Sequence, residues 1–88
     1  MNVGFTRNFE KQIDGIRDSK LRVEVSQIVR AIMSASSLEQ IPNIKKLKGF
    51  KTAYRIRSGN YRIGIALQNE KVIFVAFAHR KDIYRIFP

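Results

Sequence analysis

The feature that most constrains this chain is the run from Tyr54 to Tyr84, in which two β-hairpin patterns follow one another ahead of a short tail. Tyr54-Arg55-Ile56-Arg57 alternates apolar and basic residues, as a strand with one buried face does. Ser58-Gly59-Asn60 comes next, and Gly-Asn suits a two-residue hairpin loop because glycine reaches positive φ at no steric cost. Tyr61 to Leu67 is the return strand. Gln68-Asn69-Glu70-Lys71 turns the chain again. Val72 to Ala78 is apolar throughout, which predicts an inner strand, and a short polar, basic tail ends the chain.

Register turns this pattern into a candidate site. With Gly59-Asn60 as the loop, Ser58 pairs with Tyr61, Arg57 with Arg62 and Ile56 with Ile63. Successive side chains alternate faces, so Tyr54, Ile56, Ile63, Ile65 and Leu67 share one face while Arg55, Arg57 and Arg62 share the other. Closing the second turn with two or four residues pairs Leu67 with Val72 and Arg62 with Phe77. Phe74, Ala76 and Ala78 then join the core face, and Phe77 and His79 join the arginines. Two arginines placed directly opposite cost a few tenths to ~1 kcal/mol. A bound anion would offset that cost; splaying of the side chains into water is the plainer alternative.

Eighty-eight residues predict a single domain, 1–88, with a modest core. The absence of cysteine suits a reducing compartment. No apolar leader and no run of about 20 apolar residues appears, so the expectation is a cytoplasmic protein with no membrane contact. The net charge of +10 is unevenly spread. Residues 1–43 carry six Lys and Arg against five Asp and Glu, whereas residues 44–88 carry eleven against two. A near-neutral first half joined to a strongly basic second half points to a polyanion or an acidic protein as partner.

Asn2 to Phe5 reads as a short first strand. Thr6 can cap a helix with Phe9, Ile13 and Ile16 on one face, ending near residue 17. A second helix starts after Asp18-Ser19, with Leu21, Val25, Ile28 and Ile32 as its buried stripe. The two predict a helical hairpin over the apolar face of the sheet, and Glu24 and its basic neighbours read as a solvated surface. Ser34-Ala35-Ser36-Ser37 and Pro42 end the helix. Residues 37–53 are then a long connection of the kind that is functional or holds further structure. Lys45, Lys46, Lys48 and Lys51 project from it as candidate phosphate contacts, or as a merely solvated lysine loop.

Chemistry narrows further. One histidine, no cysteine and scattered carboxylates offer no metal set, and there is no glycine-rich phosphate loop, so no metal and no cofactor are expected. In a metal-free basic cleft, RNA supplies its own nucleophile. The ribose 2′-OH attacks the adjacent phosphate when one group removes its proton, cations hold the developing charge and another group protonates the leaving oxygen. Arginine is a poor base but is shaped for bidentate phosphate contacts, which suits Arg55, Arg57, Arg62 and Arg80 as clamps. His79 is the side-chain type that titrates nearest neutrality. Tyr84 is the other candidate for proton transfer, or for stacking on a base; as a plain core aromatic it would pin the C-terminal turn beside Ile83 and Ile86.

Tyr54-Arg55-Ile56-Arg57, Gly59-Asn60-Tyr61-Arg62, the apolar strand and His79-Arg80-Lys81-Asp82-Ile83-Tyr84-Arg85 together resemble the RelE/ParE toxin superfamily, on the RelE side. The likeness extends upstream through Lys46-Leu47-Lys48-Gly49 and, by order of elements, over nearly the whole chain. It implies an α+β fold like that of microbial ribonucleases: an antiparallel sheet of about four strands, order β-α-α-β-β-β, with the helical hairpin on one face. It also implies a toxin held by an antitoxin and cleaving mRNA in the ribosomal A site. Under it Arg55 and Arg57 match positions often held by lysine, Arg62 the hairpin arginine, Arg80 the arginine after the strand and Tyr84 the C-terminal tyrosine. Arginine at the lysine positions removes a proton donor and shifts weight to His79. Lys45, Lys46, Lys48, Lys51, Lys81 and Arg85 would then contact RNA. A ParE-like toxin that inhibits DNA gyrase without cutting, or an RNA- or ribosome-binding module without catalysis, are the alternatives.

Overall fold

The computed structural model describes residues 1–88. Strand β1 (Asn2–Phe5) leads into helices α1 (Arg7–Asp14) and α2 (Ser19–Ser34). Strands β2 (Ile44–Lys46), β3 (Ala53–Ser58), β4 (Tyr61–Gln68) and β5 (Lys71–His79) follow, and a single turn of helix, α3 (Ile83–Ile86), ends the chain. Helix α1 starts on the expected Thr6 cap, and α2 starts on Asp18 with Ser19 as its first residue. The Thr6 hydroxyl accepts from the Phe9 N–H, and the Asp18 carboxylate accepts from the Lys20 and Leu21 N–H groups. Gly15 and Asp18 separate the helices, so each presents one apolar stripe to the sheet.

The sheet has five strands in the order β1-β5-β4-β3-β2. The strand beyond the expected four is β2, three residues inside the long 37–53 connection, which also holds a 3-10 turn at Leu38–Gln40. It pairs Lys45 with Arg55 and Lys46 with Tyr54. The pairing is antiparallel except at β1, which runs parallel to β5. In place of a plain basic tail, α3 folds back over the sheet.

The first hairpin has the expected register: Ser58 opposite Tyr61, Arg57 opposite Arg62 and Ile56 opposite Ile63. The second starts as expected, with Leu67 opposite Val72, and then departs from it. Ile65 faces Phe74 but Gly64 faces Ala76, so Val75 is an extra residue in β5. Such a bulge swaps the faces of every residue beyond it. Arg62 therefore lies opposite Ala78, not Phe77. Phe77 points to the helices, while Ala76 and Ala78 point to the arginine side. The bulge has its polar groups satisfied from outside the ladder. Thr6 donates its N–H to the Phe74 carbonyl (3.0 Å) and its hydroxyl to the Val75 carbonyl (2.9 Å), and Gln12 Oε1 accepts the Phe77 N–H at 2.7 Å.

Two cores result. Phe9, Val25, Ile32, Ile56, Ile63, Ile65, Val72, Phe74 and Phe77 form the larger one, between the helical hairpin and the sheet. On the opposite face Leu47, Ala53, Ala76, Ile83 and Phe87 form a smaller one under α3. Gly64 is required there: a β-carbon on it would lie 2.5 Å from the Phe87 ring. Glu24 is half-buried and accepts a hydrogen bond from the Ser58 hydroxyl at 3.3 Å, so it ties α2 to the hairpin and is not simply a solvated charge.

Candidate functional site

The α3 core covers only one end of its sheet face. At the other end lies an open cleft of about 390 Å³ lined by Asn43, Ile44, Lys45, Arg55, Arg57, Arg62 and Tyr84. Alternation along β3 and β4 delivers the three arginines, and β2 adds Lys45 opposite Arg55. Tyr84 comes from α3. It is 72% exposed, while Ile83 beside it is buried, so it is not the core aromatic of the plain reading. The Arg55 guanidinium lies over its ring, 4.5 Å from the centroid, in a cation–π contact.

Two of the arginines are held by backbone or amide acceptors. Arg62 donates from one Nη to the carbonyls of Gly59 and Tyr61, both at 2.9 Å, which curls it over the hairpin turn. Arg57 donates to Asn43 Oδ1 at 3.2 Å and, from its backbone N–H, to the Asn43 carbonyl at 3.1 Å. Asn43 has φ 64°, the left-handed region that asparagine tolerates better than most residues. The sequence reading missed Asn43; its position after Pro42, a turn-forming pair ahead of a basic strand, was the available signal. No carboxylate lines the cleft, and the molecule's one ion pair, Arg85 with Asp82, lies outside it. Three guanidinium groups and an ammonium thus converge with no anion to balance them.

The remaining candidates lie elsewhere. His79 is off the arginine face, because the bulge at Val75 turned it to the helix side. There its ring meets Tyr61 edge-on at 5.5 Å, Tyr61 stacks flat on Phe77 at 5.1 Å, and Nδ1 accepts the Lys81 N–H. Arg80 follows β5 beside the Gly59-Asn60 turn, its N–H bonded to the Asn60 carbonyl, and is not among the cleft residues. Lys46 pairs with Tyr54 on the opposite face from Lys45. Lys48 and Lys51 are exposed on the β2–β3 loop, Lys81 is exposed after β5, and Arg85 is bound to Asp82 at 2.6 Å.

A five-stranded sheet with a helical hairpin on one side and an acid-free, arginine-lined cleft on the other defines a small α+β protein with a basic open face. Comparison with known proteins gives that class a name. Toxin RelE3 of Methanocaldococcus jannaschii is 38% identical over the full length of both chains. This chain also matches a chain of the RelB-RelE antitoxin-toxin complex from Methanococcus jannaschii. The TM-score is 0.82 and the identity 36%, over 97% of this chain and 99% of that one. A chain of the intact E. coli RelBE toxin-antitoxin complex superposes with a TM-score of 0.69 at 21% identity, covering 89% of this chain and 94% of that one, a likeness of fold. No family model matches the sequence. The chain belongs to the RelE family of toxins.

Proposed function

We propose that this toxin is a metal-independent endoribonuclease that cuts mRNA, acting in the cytoplasm at the ribosomal A site, and that the open cleft is its active site. The observation that carries this reading is the convergence of Arg55, Arg57, Arg62, Lys45 and Tyr84 with no carboxylate among them. An RNA phosphate supplies the missing charge. Arg57 and Arg62 grip its non-bridging oxygens, and their grip tightens as the phosphorane gains charge. The 2′-oxygen forms the new bond to phosphorus as its proton passes to water, the bond from phosphorus to the 5′-oxygen breaks as that oxygen takes the Tyr84 phenol proton, and a 2′,3′-cyclic phosphate is left. Tyr84 is the residue we assign to proton transfer, because His79 faces the other side of the sheet. The Arg55 guanidinium fixes the orientation of the Tyr84 ring.

A cleft with this charge needs a cover in the cell. Two of the solved structures it resembles are complexes of a RelE chain with RelB, and a partner of the same kind, with an acidic or amphipathic segment that orders on binding, suits this toxin. The neighbouring gene is expected to encode it, to co-purify and to restore growth; harmless expression with no such binder overturns the toxin–antitoxin assignment. The decisive test of activity is primer extension on mRNA from cells expressing this chain, beside a gyrase supercoiling assay. Discrete new 5′ ends with unaffected gyrase are expected. Intact transcripts with inhibited gyrase would move the chain to the ParE-like reading, and intact transcripts with neither effect to a binding module. Tyr84→Phe lowers cleavage about 10²–10⁴-fold and alters the pH–rate profile if it transfers the proton.

A further inference from the structure

We infer that the β2–β3 loop, residues 47–52, is a stacking platform for one unpaired base of a single-stranded RNA, with Phe50 as the stacking ring and Lys48 and Lys51 as the flanking phosphate contacts. The loop is anchored at its base. Leu47 is buried in the small core with Ile83 and Phe87, and its N–H bonds the Ala53 carbonyl at 3.0 Å. The turn closes through a hydrogen bond from the Phe50 N–H to the Leu47 carbonyl at 3.3 Å, and Gly49 takes φ 82°, a conformation that glycine accepts without strain. Phe50 is left 49% exposed at the tip.

A single exposed apolar side chain is ordinary on a protein surface; its surroundings set this one apart. Lys48 and Lys51 flank it, both exposed and neither in an ion pair. No Asp or Glu occurs anywhere from Gln40 to Asn69. A phenyl ring between free ammonium groups on a tethered turn matches the alternation of base and phosphate along an unpaired strand, where stacking tolerates any base. The loop also shares its core with the turn that carries Tyr84, which anchors it on the same side of the sheet as the cleft. In that respect the inference rests on the RNA reading of the cleft.

The test uses the full chain and a single-stranded 2′-O-methyl oligonucleotide carrying 2-aminopurine, which offers no 2′-hydroxyl to attack and so reports binding whether or not the cleft cuts. Phe50→Ala is expected to weaken binding roughly 5- to 150-fold and to abolish the 2-aminopurine stacking signal, with the salt dependence unchanged. Phe50→Trp is expected to keep both, and Phe50→Leu to behave like Phe50→Ala. Lys48→Ala and Lys51→Ala each lower the slope of log K against log salt by about 0.7. Wild-type binding by Phe50→Ala overturns the inference, as does equal binding by Phe50→Leu, which would mean apolar bulk alone. Loss of co-purification with the protein partner in Phe50→Ala, with oligonucleotide binding intact, reassigns the loop to a protein contact. No binding by the unmodified chain overturns it as well. If Arg62→Ala loses cleavage while Phe50→Ala binds normally, the cleft reading stands and this one falls.

Discussion

The two faces of the sheet are built on opposite principles. On the helix face Ile63, Ile65, Val72 and Phe74 have no exposed surface, and the half-buried Glu24 has a hydrogen-bond partner. On the other face a five-residue core secures one end, and the rest is given to cations with no counter-charge. Like charges held together oppose folding, so the arginine face is sustained by the stability of the face behind it. One strand serves both: Ile56 is buried while Arg55 and Arg57, on either side of it, line the cleft. Stability and the candidate chemistry are therefore separable residue by residue along β3.

The sharpest way to break that comparison is to cut into the helix face. Phe74→Ala should cost about 3–5 kcal/mol, the range for emptying a buried aromatic site. Small domains have only about 5–15 kcal/mol in total, so this is a large share. Arg57→Ala, one strand away on the open face, should stay within about 0.5 kcal/mol. Urea denaturation with an unchanged m-value measures both. Equal losses would mean that the arginines belong to the fold and that the division into faces is wrong.

The next largest effect is on activity. Arg62→Ala should reduce single-turnover cleavage on programmed ribosomes by roughly 10²–10³-fold, about 2.7–4 kcal/mol, as when one preorganised donor to a transition state is removed. The same change gives up the bonds to the Gly59 and Tyr61 carbonyls, the first exposed and the second partly buried, so its stability loss should be about 1 kcal/mol. Arg62→Lys keeps the charge and loses the fork, and should recover only part of the rate. A toxic Arg62→Ala protein with full cleavage would separate the cleft from the toxicity.

The first hairpin was legible in the sequence to the residue, because the Gly59-Asn60 turn fixes a register that alternating Ile and Arg then maintain. The helices were legible from Thr6, Asp18 and their apolar stripes. The fifth strand was not, since Ile44-Lys45-Lys46 is too short to show a period. The bulge was hidden for a different reason. Val72 to Ala78 is apolar at every position, and a strand without alternation cannot report which side chain faces which way. The signal lay on its partner: an isolated glycine within a strand marks a bulge or a close approach, and Gly64 has both. Replacing it tests the link between bulge and site. Gly64→Ala should cost about 1–3 kcal/mol by forcing the Phe87 ring aside, and should loosen α3 and with it the contact of Tyr84 with Arg55. In a Phe87→Ala background most of that cost should vanish, a coupling that a double-mutant cycle reads directly. Additive losses would show that Gly64 is needed for the β5 backbone and not for the ring.

The smallest expected effect falls on the residue that chemistry alone favours most. His79 is the chain's one histidine and stands at the end of the last strand, where an unbulged β5 would have placed it among the arginines. With Val75 inserted, it pairs with Tyr61 and completes an aromatic stack on the helix side. Its Nδ1 accepts a backbone N–H, so the proton of the neutral ring sits on Nε2 and the side chain acts as a brace for the turn into Lys81. His79→Gln should then cost about 0.5–1.5 kcal/mol, the worth of an aromatic contact, and leave both the cleavage rate and its pH profile unchanged. His79→Phe keeps a ring against Tyr61 and should recover most of the stability. The two faces make opposite demands on this position: a proton-transfer group would lose rate with Phe and Gln alike, whereas a brace loses stability with Gln and little with Phe. A rate loss in both variants, with melting unchanged, would put His79 back in the active site and require β5 to pair with β4 without the bulge.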